Sequence, residues 1–258
     1  MNRRSFLKRG LILGAAAPLA GCKTLDNLVA NGSPARAFMA RANHLTQATQ
    51  RAVIGRDALA PEFTRADIQQ GQKPNGVISP PDADYQEMLA SGFENWRLTV
   101  KGRVAQPLSL SLQDLMAMPR RTQITRHDCV EGWSCIAEWT GVPLTHVLNA
   151  AQMHSDARFV VIHCMDTIER TLSGGVKYYE SIDLIDAFHP QTLLAYGLNG
   201  ATLPERNGAP LRLRVERQLG YKMAKYITSI EAVPTLAGYG LGKGGYWEDR
   251  GYDWYAGI

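Results

Sequence analysis

The chain has 258 residues, 45% of them hydrophobic and 20% charged, with a formal net charge of +4. This composition excludes a disordered or low-complexity chain and leaves room for one large domain or two small ones. The whole excess charge sits in Arg3, Arg4, Lys8 and Arg9, ahead of any acidic residue. Beyond them the chain is neutral, so its basic balance gives no reason to expect nucleic acid as a partner.

In chain order, residues 1–21 read as an export address. Arg3-Arg4-Ser5-Phe6-Leu7-Lys8 matches the twin-arginine pattern. The apolar run from Leu11 to Ala20 that follows is shorter than the roughly 20 residues a spanning helix needs. Leu19-Ala20-Gly21-Cys22 matches a bacterial lipobox, making Cys22 the predicted lipid anchor. The predicted location is therefore the periplasm, reached in the folded state and held at the membrane.

Residues 22–90 read as an N-terminal helix followed by a Pro/Gly-rich loop, and residues 91–258 as the main domain. Ser33-Pro34 predicts the cap and first turn of a helix carrying Phe38, Ala42, Leu45 and Ala52 on one stripe, with Gly55 as its stop. From Pro61 to Pro81 the chain is polar and broken by Gly71, Pro74, Gly76 and Pro80, which predicts a loop. Trp96, Leu98 and Val100 alternate with polar residues, as in a half-buried strand. Ser111 opens a short helix that Pro119 ends.

Thr122 to His127 reads as a strand, Pro143 to Ala151 as a short helix and Phe159 to Ile162 as an apolar strand. Strands at Leu193–Tyr196 and Pro210–Val215 flank the turn Asn199-Gly200. In the second of these, Leu211, Leu213 and Val215 alternate with Arg212, Arg214 and Glu216, which predicts one buried and one solvated face. Ala224 to Val233 is a further strand. Strands and short helices without regular βαβ spacing argue for a single α+β domain with mixed sheets. The tail, with Gly238, Gly240, Gly242, Gly244 and Gly245 before Tyr246, Trp247, Tyr252, Trp254 and Tyr255, reads as an ordered loop packing aromatics over the core, or as a wall of the substrate funnel.

With Cys22 set aside, Cys129, Cys135 and Cys164 remain, an odd number for an oxidising compartment. Either one thiol is occupied by something such as a metal, or some are buried and inert. A Cys135–Cys164 bridge stays open. Cys129 sits where a strand end gives way to a Gly-containing turn, which lets a thiolate project while its backbone stays fixed.

The run Arg126-His127-Asp128-Cys129-Val130-Glu131-Gly132-Trp133-Ser134, continued by Trp139-Thr140-Gly141-Val142-Pro143-Leu144, resembles the molybdenum-binding segment of the sulfite oxidase family. Asn207-Gly208-Ala209-Pro210-Leu211-Arg212 and Gly220-Tyr221-Lys222-Met223-Ala224-Lys225 are similar to that family's two later cofactor elements. The resemblance runs from about Trp96 to Val233. It implies the sulfite oxidase-type fold, a molybdopterin cofactor and Cys129 as the protein's metal ligand.

By the same resemblance Asn207 and Arg212 contact the pterin, Met223, Ala224 and Lys225 line its phosphate end, and Asn75 and Cys164 are further contacts. It also implies Tyr178 near the metal, where it could bond an oxyanion. His127, two residues before Cys129 on a strand, faces the same side and is either an active-site residue or a core histidine. Sulfite oxidases follow the cysteine with arginines that bind an anionic substrate. Here Val130-Glu131-Gly132-Trp133-Ser134 follows, closer to the stand-alone periplasmic type represented by the methionine sulfoxide reductase catalytic subunit, and it disfavours a small dianion.

The expected function is therefore exported, molybdopterin-dependent oxygen-atom transfer on a small-molecule substrate. No Cys-x-x-Cys-His haem motif is present, so electrons are expected from a separate cytochrome or membrane haem protein. Competing expectations are a non-catalytic cofactor-binding or scaffold lipoprotein, and a cysteine hydrolase pairing Cys129 with His127, His154 or His163. A zinc site from Cys129, Cys135, His163 and Cys164 lacks the short cysteine spacing that structural zinc uses.

Overall fold

A computed structural model of the chain describes residues 33–172 and 174–258. The twin-arginine run, the apolar run and Cys22 lie outside the described residues. The chain divides into two compact units between Gly55 and Arg56. In the first, α1 (Pro34–Ile54) covers the predicted helix, and Gly55 ends it with φ +77°. Phe38 and Leu45 on its stripe are exposed, as is Val53.

The second unit is built on two five-stranded sheets. In the first, the order is β2 (Leu108–Leu110), β1 (Leu98–Gly102), β10 (Ile227–Val233), β5 (Phe159–Thr171) and β6 (Gly174–Asp183). Only β1 and β10 run parallel in this sheet. In the second, β3 (Arg121–Asp128), β4 (Ser134–Pro143), β7 (Leu193–Leu198) and β8 (Ala201–Thr202) follow one another, and β9 (Arg212–Arg214) pairs with β7. Leu98 and Ile162 of the first sheet and Val142 and Leu194 of the second meet in one apolar cluster, so the core lies between the sheets. Each such fully buried side chain contributes roughly 1.5–3 kcal/mol.

Short helices close the core where strands end. They are α2 (Ala83–Ala90), α3 (Leu112–Ala117), α4 (Leu144–Ala151) and α5 (Leu184–Ala187). α3 begins with a reciprocal cap in which the Ser111 hydroxyl accepts from Asp114 N at 3.1 Å and Asp114 Oδ2 accepts from Ser111 N at 2.8 Å. Asp183 caps α5 through Asp186 N. Tyr85 of α2 is buried, and its hydroxyl donates to Ala209 O at 3.0 Å. Trp96 donates to Ile227 O at 3.1 Å, so the segment before β1 is fastened to the last strand.

The loop predicted over Pro61–Pro81 runs along the second sheet. Phe63 N bonds Ile124 O at 2.8 Å and Gln69 N bonds Ile136 O at 3.1 Å. Four strands are absent from the expectations drawn from the sequence: the short β2 and β8, β4, which contains the cofactor-like Trp139-Thr140-Gly141 run, and β6, which extends β5 into a long hairpin. The face prediction at Leu211–Glu216 needs correction. All six residues are buried, because β9 lies between the core and Trp139 instead of at the surface.

Candidate active site

β3 and β4 form a hairpin whose turn carries Cys129. Cys129 N donates to Trp133 O at 2.9 Å and Gly132 N to Cys129 O at 3.0 Å. Gly132 has φ +84°, a conformation that a side chain would strain. Cys129 is 7% exposed. Burial pushes its pKa up and the Glu131 carboxylate adds to this, while the N–H groups of Glu131 and Val130 and the Lys73 ammonium oppose it. A bound cation would reverse that balance and hold the thiolate.

Trp133 forms the rim over this turn. Its indole N–H donates to Glu131 Oε2 at 2.8 Å, and Lys73 Nζ stands 5.1 Å from the ring centre. The His127 ring lies 5.4 Å from it on the inner side. The acidic and basic groups of the rim thus offset each other around one aromatic ring.

His127 is buried beneath the rim. Its Nδ1 faces Arg214 Nη1 at 2.8 Å and Met223 Sδ at 3.2 Å. Burial lowers its pKa well below the ordinary value, and the cations Arg214, Arg212 and Lys225 lower it further, so the ring is neutral. A Cys–His hydrolase needs an imidazole lone pair aimed at the thiol, and here Arg214 occupies that lone pair. His163, another candidate partner, is engaged by Glu231 at 3.0 Å. The next turn, Gly220–Lys222, packs directly on His127: a Cβ at Gly220 would stand 2.5 Å from His127 Nε2. Asn75 reaches the same turn, with Nδ2 3.5 Å from Gly220 O.

Asn207, Arg212, Lys225 and Cys164 come together one layer away. Arg212 Nη1 donates to Asn207 O at 2.9 Å, and Lys225 donates to the carbonyls of Val77 and, at 3.3 Å, Arg206. Asn207 Nδ2, Arg212 Nε and Nη2, and His127 Nε2 are buried with no hydrogen-bond partner among the described residues. Burial lowers Arg212 to about 9, with the neighbouring Arg214 adding to the fall. Burial likewise lowers Lys225 to about 7, with Arg212 adding, while Asp166 and Cys164 oppose. Asp166, itself buried, is raised to about 6 by burial, with Lys225 opposing. Burial raises the Cys164 thiol well above its ordinary value. This cluster holds more positive than negative charge, and its idle donors need an anionic, acceptor-rich group.

Met223 and Ala224 are buried between the two layers, Met223 through its sulfur and Ala224 through its carbonyl, which accepts from Leu213 N at 2.8 Å. Tyr178 is buried too, but its hydroxyl donates to Tyr221 O and is committed to the main chain. Cys129, Cys135 and Cys164 are all free thiols.

Several residues that frame the site were not singled out from the sequence: Arg214, Glu216, Asp166, Lys73 and the Glu180–Lys222–Glu248 cluster. Arg214 and Glu216 did leave a signal, since residues i and i+2 of a strand share a face. The tail supplies Glu248 to Lys222 at 2.6 Å and Trp254 to Ser181 at 2.8 Å, so it is an ordered cover.

A family model described as the oxidoreductase molybdopterin binding domain matches residues 85–237, more than half of the chain. Over 255 residues the chain is 36% identical to a protein of Azospira oryzae provisionally named protein-methionine-sulfoxide reductase subunit YedZ1, covering 99% of this chain and 87% of that one. Among solved structures, the sulfane dehydrogenase SoxCD from Paracoccus pantotrophus matches with a TM-score of 0.48 and 22% identity, over 55% of this chain and 39% of that one.

Proposed function

The chain belongs to the oxidoreductase molybdopterin-binding family, of the sulfite oxidase type, and is a molybdopterin-dependent oxidoreductase; on that premise we propose that it is the exported catalytic subunit of a methionine sulfoxide reductase, with Cys129 as its metal ligand. The idle donors of Asn207 and Arg212 and the excess positive charge at Lys225 fit the cofactor's pterin and phosphate. In this reading Asn207 and Arg212 hold the pterin, Lys225 neutralises the phosphate, and Asn75, Cys164, Met223 and Ala224 complete the lining. Cys129 supplies the soft protein thiolate. The bound cofactor supplies the two-electron oxygen-atom chemistry.

The observation that carries the substrate is the rim. Lys73 and Glu131 balance around the partly exposed Trp133, which suits an uncharged sulfoxide better than a dianion. A methyl-sulfur group packs well on an indole, and the Lys73 ammonium is a donor for the sulfoxide oxygen. The net change is that sulfoxide, two electrons and two protons give thioether and water. Tyr178, bonded to Tyr221 O, acts in this account by holding the 220–225 turn.

A separate electron-transfer protein, a cytochrome or membrane haem protein, delivers the electrons. The naming of the Azospira oryzae relative as a subunit supports such a partner. Twin-arginine export and lipidation of Cys22 would keep the enzyme in the periplasm at the membrane beside it.

The test is molybdenum content together with reduction of methionine sulfoxide by an artificial electron donor. Wild type should carry about one molybdenum per chain and reduce the sulfoxide, and the Cys129→Ser variant should lose reduction. Loaded wild type that leaves methionine sulfoxide untouched would remove the substrate assignment. Full activity in Cys129→Ser would remove the ligand assignment.

A further inference from the structure

Arg214 takes no part in the idle-donor cluster, yet it is held from every side. It is fully buried, with Nε 3.0 Å from Glu216 Oε1 and Nη2 2.6 Å from Glu216 Oε2. Gln123 supports Glu216 with a bond of 2.8 Å, and the Trp139 ring lies 4.4 Å from the guanidinium. One nitrogen is left over. Nη1 stands 2.8 Å from both His127 Nδ1 and Met223 Sδ.

A guanidinium donates and never accepts. The His127 nitrogen that faces it must be a bare acceptor, so the ring carries its hydrogen on Nε2. That Nε2 is buried, has no partner among the described residues, and lies against Gly220, where only a glycine leaves it room. A buried N–H without an acceptor is costly, so a fold that holds one in a fixed direction is suited to a ligand that accepts it. His127 lies near the end of β3, two residues before Cys129 in the turn of the same hairpin, and both are buried.

We propose that Arg214 is a positioning residue that fixes His127 as an Nε2–H donor to an acceptor atom of the molybdopterin held next to Cys129. This rests on the cofactor assignment above and adds to it the residue that orients the donor.

Nitrogen-15 NMR of histidine-labelled, molybdenum-loaded full chain in the oxidised state reads the tautomer directly. Wild type and Arg214→Lys should both show the Nε2–H form, because an ammonium is also a pure donor. The paired Arg214→Gln/Glu216→Gln variant, which leaves no buried charge alone, should show a mixture. An Nδ1–H ring in wild type, or an unchanged ring in the paired variant, would overturn the role of Arg214. The contact with the cofactor is read by molybdenum retention on dialysis and by the paramagnetic resonance of the half-reduced metal. His127→Gln, whose amide N–H can replace Nε2–H, should keep both near wild type. His127→Phe should release molybdenum roughly tenfold faster and shift the signal. Indistinguishable Gln and Phe variants would overturn the contact while leaving the cofactor assignment standing. That assignment fails separately, as wild-type chain without molybdenum.

Discussion

Two groups of buried charges lie within a few residues of each other and are built on opposite terms. Lys222 is fully buried between Glu180 at 2.5 Å and Glu248 at 2.6 Å. Burial pulls its ammonium down, but the two carboxylates together hold it above its ordinary value. Burial pushes Glu180 well above the usual carboxylate range, with Lys222 opposing and the Glu248 carboxylate adding to the rise. Three residues on, Lys225 shares its burial with Arg212, and both are pushed down. A buried charge with its counter-charge fastens a structure, and one without it is a receptor. The first group ties the tail to the 220–222 turn, and the second is the one assigned to the cofactor in the proposed function.

The largest effect expected from this contrast is in Lys222→Met. Removing the shared cation strands two buried carboxylates and should cost about 3–5 kcal/mol of unfolding free energy, equally in loaded and cofactor-free chain. Denaturant unfolding checks this, and a loss confined to loaded protein would erase the distinction. Arg212→Met should do the reverse. Cofactor retention should fall roughly 10–100-fold, as for losing charge-assisted bonds, while the cofactor-free chain keeps or gains stability. Parallel measurement of molybdenum release and unfolding separates the two outcomes.

A third effect is in the pH profile of cofactor-free chain. Lys225 is lowered to about 7 from an ordinary 10.5, so between those values the unfolded chain binds more protons and stability should climb with pH. Asp166 is raised to about 6 from 3.8, so across that lower window the folded chain binds more protons and stability should fall as pH rises. Lys225→Met should remove the climb below about pH 9, where Arg212 does not yet contribute, and Asp166→Asn the fall. A bound phosphate restores the Lys225 charge, so loaded chain should lack the climb. Urea unfolding at a series of pH values tests all of this.

Features set by neighbours in sequence were legible. The Ser111 cap, the Cys129 turn with Gly132 and the Asn199-Gly200 turn are local chemistry, and the helix after Ser111 and the strands that lead into the other two turns fell where the residues indicated. The alternation at Leu211–Glu216 misled because β9 is covered on both faces. Arginine among leucines normally means a wet face, and here the arginines lie on Trp139, more than seventy residues earlier in the chain. β6 was missed because its glycines and polar residues read as loop until β5 pairs with them. The Glu180–Lys222–Glu248 cluster joins a strand, a turn and the tail, and no spacing announces it. The motifs around Cys129, Asn207 and Gly220 indicated which residues gather, and left unread which of them have their charges answered.

The carbonyl of Val77 accepts from both Lys225 Nζ and, at 2.8 Å, the Tyr226 hydroxyl. Counting hydrogens then ranks the anion's contacts. An ammonium has three, and Lys225 already gives one to Val77 and one to Arg206. One is left for a ligand. The Arg212 guanidinium has five, of which the bond to Asn207 O takes one and those on Nε and Nη2 remain idle. In the proposed site the flat fork of Arg212 would therefore set the direction of the bonds to the pterin, and Lys225 would act on the phosphate chiefly as a charge, its directionality already given to the stretch of loop it holds down.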